Sequence, residues 1–81
     1  MQMIARITPA DGAAWKAEFD GQAENIAAAG LSLLQLWRSA DRAGQVVLLF
    51  EVRDRTRAAD WLAREAGFGR GLEAEFLDPA F

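Results

Sequence analysis

The chain has 81 residues, of which nine are basic and twelve are acidic, and it contains no cysteine and no histidine. This length predicts a single domain, because a core needs roughly 50 residues and chains divide into separate cores only well beyond about 200. Both signs of charge are interspersed along the chain and form no basic stripe, which argues against a nucleic-acid-binding protein.

Three features predict a cytoplasmic protein that does not associate with membranes. Disulfide bonds cannot form without cysteine, as expected of a protein in a reducing compartment. The sequence does not open with a charged and then apolar leader. The longest apolar run without a charge, 30–37, is far shorter than the ~20 residues of a membrane span. The abundance of alanine and the excess of arginine over lysine are typical of a GC-rich bacterial genome.

A change of hydrophobic period separates the first two elements. Met3, Ala5 and Ile7 alternate with other residues, which indicates a half-buried strand. Asp11 is placed to cap a helix, and apolar residues then recur at spacings of three and four, which indicates one helix that ends at a glycine. The residues of this stripe are Trp15, Phe19, Ala23, Ile26 and Gly30.

The second half of the chain predicts a hairpin, a helix and a last strand. Two runs rich in leucine, β-branched and aromatic residues, Leu31–Arg38 and Gln45–Arg53, flank a segment of turn residues. Either Thr56 or Asp54 is placed to cap the helix, whose inward face would be Ala58, Trp61, Leu62 and Ala66, with Gly67 closing it and Phe68 packing back on the last turn. Alternation in 72–76 indicates the last strand.

The resulting order, β-α-β-β-α-β, predicts an α+β, ferredoxin-like fold. In that fold two interleaved βαβ units form a four-stranded antiparallel sheet with both helices on one face, and the first strand lies between the third and the fourth.

The face without helices is the most informative feature of the predicted sheet. The two sides of the third strand are Val46, Leu48, Phe50 and Val52, and Val47, Leu49, Glu51 and Arg53. The second side is half apolar, and a monomer would leave aliphatic side chains in an open patch, which soluble monomers usually avoid. The sequence therefore predicts a homodimer that pairs through the sheet. Because the second strand has leucines on both sides, the sequence leaves open which face meets the helices.

Charged residues on neighbouring strands are the candidate catalytic group. Glu51, Arg6 and Arg53, together with Glu73 and Glu75, are placed to converge on the sheet. One interpretation is a pocket in which Glu51 abstracts a proton while Arg6 or Arg53 holds an anionic substrate. The other, which we favour, is a cross-strand ladder of ion pairs at the sheet surface or at the dimer interface.

Aromatic residues are the candidate ligand-binding group. Trp15, Trp37 and Trp61 would line a pocket for an aromatic ligand, with Gln35 or Asn25 supplying an orienting hydrogen bond. The alternative is that Trp15 and Trp61 belong to the core, which leaves Trp37 as the better candidate for a pocket or an interface.

Other site types are not indicated. The glycine-rich segment 67–71 follows a helix instead of opening one, which favours a helix cap and a turn over a phosphate-binding loop. Acidic residues without histidine or cysteine form no transition-metal motif, so we expect no metal and no cofactor.

The segments Leu34-Gln-Leu-Trp-Arg-Ser-Ala-Asp41 and Val46-Val-Leu-Leu-Phe-Glu-Val-Arg-Asp54 resemble the dimeric α/β-barrel superfamily that includes the antibiotic-biosynthesis-monooxygenase-like domains. The resemblance implies a homodimer whose sheets pack into a barrel, with a small pocket in each subunit. The functions of that superfamily range over cofactor-free oxygenation, isomerisation, cyclisation, haem degradation and no known activity.

The chain departs from that pattern at two positions. Arg53 stands where many members have a tryptophan, and the helix histidine of many catalytic members has no counterpart. The absence of histidine excludes His-ligated haem and His-based acid–base catalysis, and tyrosine and cysteine are absent as well. Two hypotheses follow: a non-catalytic dimer that binds a small apolar or aromatic ligand or a partner protein, or a cofactor-independent isomerase, cyclase or monooxygenase that acts on an enolisable aromatic or polyketide-like substrate. A cavity of about 300 Å³ or more that reaches one of these carboxylates would favour the enzyme.

Overall fold

A computed structural model describes residues 1–66 and 72–81. These residues form strands β1 (Gln2–Ile7), β2 (Leu31–Arg38), β3 (Val46–Val52) and β4 (Glu73–Leu77), and helices α1 (Gly12–Asp20), α2 (Ala23–Ala28) and α3 (Arg55–Ala66). The strands form one antiparallel sheet in the order β2-β3-β1-β4. This is the predicted α+β, ferredoxin-like architecture, with β1 between β3 and β4.

The helices cover the face of the sheet that carries Met3, Ala5 and Ile7. Residues paired across strands share a face, and Met3 pairs with Phe50 while Ala5 pairs with Leu48. The remaining buried core residues are Val52, Leu31, Ile26, Ala29, Ala58 and Trp61. The helices therefore pack on the fully apolar side of β3, a choice that the sequence left open.

The opposite side of the sheet, called the open face below, carries no residue of the buried core. The register places on it Gln2, Ile4, Arg6, Ser32, Gln35, Trp37, Val47, Leu49, Glu51, Glu73, Glu75 and Leu77. Ile4, Val47, Leu49 and Leu77 are only half-buried although two of the strands are central in the sheet.

The predicted first helix is two helices, so the prediction of one continuous helix is wrong. At Gly21 and Gln22 the backbone has ψ values of −10° and 6°, far from the α-helical value of about −42°. The Gln22 amide accordingly donates to the Phe19 carbonyl three residues back. Glycine is a poor helix former, and after the break Ala23 is exposed while Ile26 is buried.

Side-chain caps begin α1 and α3 as the sequence predicts. The Asp11 carboxylate accepts a hydrogen bond from the Ala14 amide at 3.0 Å. At α3 the capping residue is Asp54 and not Thr56, since its carboxylate accepts from the Arg57 amide at 3.0 Å.

Gly30 and Gly44 adopt left-handed backbone conformations, with φ values of +73° and +77°. These left-handed conformations cost little only in glycine. Gly30 follows α2 as predicted, and Gly44 closes the β2–β3 hairpin. The predicted roles of Gly67 and Phe68 lie outside the described residues.

No helix within the described ranges is long and apolar enough to cross a membrane. The longest, α3, has 12 residues.

Candidate ligand-binding cleft

A cleft of about 80 Å³ lies between the helix-covered face of the sheet and the helices. We call it the helix-side cleft. Its lining residues are Ala5, Ile7, Leu48 and Phe50 from the sheet, Trp15, Glu18 and Phe19 from α1, and Gln22, Trp61 and Leu72. Most of these side chains are apolar or aromatic, as in sites that bind small organic molecules.

Helix α1 packs loosely over this cleft, since none of its residues is buried. Its two aromatic side chains, Trp15 and Phe19, stack on each other with ring centroids 5.1 Å apart, and both are only half-buried. Within the described residues, Trp15 and Phe19 are the α1 side chains that pack against the core.

Trp61 forms the wall of the cleft on the α3 side. Its ring packs edge-on against Phe50 at 6.1 Å between centroids, and the residue is 7% exposed. The indole Nε1 is buried and has no hydrogen-bond partner among the described residues. A buried donor without a partner costs about 1–3 kcal/mol.

The structure divides the predicted ligand-binding residues between the two faces of the sheet. Trp15 and Trp61 line the helix-side cleft. Trp37 and Gln35 instead lie on the open face, opposite Val47 and Leu49 of β3, and Trp37 is 45% exposed. The three tryptophans therefore do not line one pocket.

The candidate catalytic residues are not brought together. Glu51 pairs with Gln2 while Arg6 pairs with Val47, so they are four positions apart along the strands, or about 13 Å at ~3.3 Å per residue. Glu51 lies 3.8 Å from the amino-terminal nitrogen, and Arg53 follows the end of β3 and is exposed. The described clefts beside helices α1, α2 and α3 are lined by residues other than Glu51, Arg6 and Arg53. The geometry therefore gives no support to the enzyme hypothesis.

The predicted ladder of ion pairs is not formed within the chain. Arg6 lies directly opposite Glu73, and Glu75 lies opposite the neighbouring Ile4. Within 1–66 and 72–81, however, the ion pairs are Met1–Glu51, Lys16–Asp20 and Arg57–Asp54. Arg6, Glu73 and Glu75 thus have no ion-pair partner among the described residues.

Two polar residues of the cleft were not predicted. Glu18 lies three residues after Trp15 on α1, and helical spacing could have placed it on the same face. Gln22 lines the cleft because the helix breaks there, which the hydrophobic stripe did not indicate. The predicted Asn25 donates from Nδ2 to the Gln22 side-chain oxygen at 2.8 Å and lies outside this cleft.

The described part of the chain contains no group of three or more His, Cys, Asp or Glu side chains that could hold a metal ion. The glycine-rich segment 67–71 lies outside the described residues.

Comparison with models of known protein families finds no match, and a search of curated proteins finds no relative.

Proposed function

We propose that this chain forms a homodimer through the open face and that each subunit binds a small apolar or aromatic ligand in the helix-side cleft, without catalysis. The observation that carries the proposal is the division of the sheet. Its helix-covered face holds all of the buried strand residues, while Ile4, Val47, Leu49 and Leu77 have no helix over them.

The size of the open face suits a dimer of two sheets. Four strands spaced about 4.8 Å apart and about 20 Å long present a face of roughly 20 by 20 Å. With about half of that face apolar, two faces together bury roughly 400 Å² of apolar surface, worth about 10 kcal/mol at ~25 cal/mol/Å², against an association cost of about 4–15 kcal/mol. Apolar burial alone therefore offsets much of that cost.

Charges on the open face add a reason for a second copy as the partner. Arg6 is a cation, Glu73 and Glu75 are anions, and none of them has an ion-pair partner within the described ranges. A two-fold axis repeats every contact, so one subunit's Arg6 against the other's glutamates would form two equivalent sets of ion pairs. The ladder predicted from the sequence would then join two chains.

The ferredoxin-like sheet order is compatible with the dimeric α/β-barrel superfamily that the hairpin segments resemble. Members of that superfamily pair through their sheets, as proposed here. The resemblance also implies a pocket in each subunit. In this chain, we propose that this pocket is the helix-side cleft.

The L49R substitution tests the dimer. Leu49 lies opposite Ile4 and Gln35 in the middle of the open face, so the two-fold axis would bring two buried arginines together. We expect the dimer dissociation constant to rise at least about tenfold, with an unchanged circular dichroism spectrum. Sedimentation velocity across a concentration series measures the effect.

A63R is the matched control, because it adds the same charge at an exposed position of α3. Equal dimer dissociation constants for L49R and A63R would contradict pairing through the open face.

The W61F substitution tests the ligand site. It replaces the indole that lines the cleft by a smaller ring, so a bound ligand loses roughly 40 Å² of apolar contact, worth about 1 kcal/mol at ~25 cal/mol/Å². We expect ethylbenzene and acetophenone each to bind about fivefold more weakly to W61F. Isothermal titration calorimetry measures both affinities.

W37F is the control, since Trp37 lies on the other side of the sheet. If neither probe binds the unmodified protein, or if W37F weakens binding as much as W61F, the ligand site is not the helix-side cleft.

A further inference from the structure

A second cleft adjoins the helix-side cleft and shares two of its wall residues. This α2–α3 groove has a volume of about 540 Å³ and includes Gln22 and Trp61, which line both clefts. The remaining lining residues are Asn25, Ala28, Ala29, Arg57, Asp60 and Arg64. The two clefts are therefore adjacent at Gln22 and Trp61.

The groove has an excess of positive charge. Arg57, Asp60 and Arg64 follow one another at spacings of three and four and so share one side of α3. The Arg57 Nε lies 3.5 Å from the Asp54 carboxylate, whereas Arg64 has no ion-pair partner within the described ranges. Asp60 lies between the two arginines along α3 and forms an ion pair with neither of them within the described residues.

The other end of the helix-side cleft is acidic. Glu18 lines both the helix-side cleft and a third cleft beside α1, which also contains Asp11. Among the described lining residues of the two clefts, Arg64 is the arginine without a described ion-pair partner, so the anionic end of an elongated ligand would be attracted to the α2–α3 groove.

We propose that the ligand is a small carboxylic acid with an apolar aryl or alkyl body. The body lies in the helix-side cleft against Trp15, Phe19 and Phe50, and the carboxylate lies in the α2–α3 groove near Arg64. This inference rests on the proposed ligand-binding function and specifies its ligand class.

Matched probes test the inference by calorimetry on the full chain. The acids are phenylacetate to phenylbutyrate and butyrate to decanoate, and each is compared with the alcohol of the same skeleton. We expect the best acid to bind at least about fivefold more tightly than its alcohol, as a partly exposed charged hydrogen bond allows. R64Q should abolish this preference and leave the affinity for the alcohol unchanged.

R42Q is the control, because it makes the same change of net charge in the exposed β2–β3 turn. It should preserve the fivefold preference for the acid, and R64K should retain part of it. Equal affinity of acids and alcohols, or an equal loss in R42Q and R64Q, would overturn the inference and leave the proposed ligand site standing. If neither acids nor alcohols bind, the proposed function fails as well.

Discussion

Replacement of Phe50 by alanine is expected to lower the free energy of unfolding by about 3–5 kcal/mol. Phe50 is fully buried in β3, pairs with Met3 and Leu33 on the neighbouring strands and meets the ring of Trp61. Truncation removes its buried area and leaves a cavity beside the helix-side cleft. A domain of this size has only about 4–12 kcal/mol of stability, so the variant should be partly unfolded at room temperature.

Thermal and urea unfolding at a fixed protein concentration measure this effect. The expected decrease of Tm is roughly 15–30 °C. F81A is the matched control, since Phe81 is fully exposed and the same truncation should change stability by less than about 0.5 kcal/mol. If F50A and F81A unfold at similar temperatures, Phe50 is not at the centre of the core.

Replacement of Gly30 by alanine is expected to cost about 2–3 kcal/mol. Its φ of +73° costs an L-residue about 1–2 kcal/mol, and the new Cβ would lie 3.1 Å from both the Cβ and the nitrogen of Asp54. Asp54 caps α3 through the Arg57 amide, and the loss of such a cap costs about 0.5–2 kcal/mol. The single methyl group thus strains one turn and disturbs the start of a helix at the same time.

Urea unfolding of alanine variants at two other glycines separates the cost of the positive φ from the cost of disturbing Asp54. Gly44 has a φ of +77° but would place its Cβ no closer than 3.7 Å to Thr8, so G44A should lose only the conformational part, about 1–2 kcal/mol. Gly12 begins α1 with no atom within 4 Å of a new Cβ, so G12A should be neutral or stabilising by up to about 1 kcal/mol. If G30A and G44A have the same urea midpoint, the contact between the new Cβ and Asp54 does not lower the free energy of unfolding.

Local pattern predicted the strands because β propensity and period agreed in each of them. Alternation at Met3, Ala5 and Ile7 matches β1, alternation in 72–76 matches β4 (Glu73–Leu77) to within one residue, and the turn residues at 39–44 separate β2 from β3 as expected. The break in the first helix was missed because the stripe from Trp15 to Ile26 keeps helical spacing across Gly21, so the period alone carries no sign of the interruption. The sequence did not predict which face of the sheet the helices cover, because β2 has leucines on both of its sides.

The candidate site was predicted only in part because it depends on tertiary contacts. Trp15 and Trp61 could be placed on inward faces of helices from their spacing. Trp37 could not be separated from them, since its face depends on the register of β2 against β3, which shifts between Leu33 and Gln35. The groove beside Arg64 is lined by residues of α2 and α3, which are far apart in the sequence.

Sedimentation velocity of the unmodified chain at micromolar concentration tests pairing of the open face most directly. The account predicts a species of twice the 8.9 kDa chain mass that dissociates on dilution and, in L49R, at higher concentrations. A homogeneous 8.9 kDa species throughout the micromolar range would contradict it.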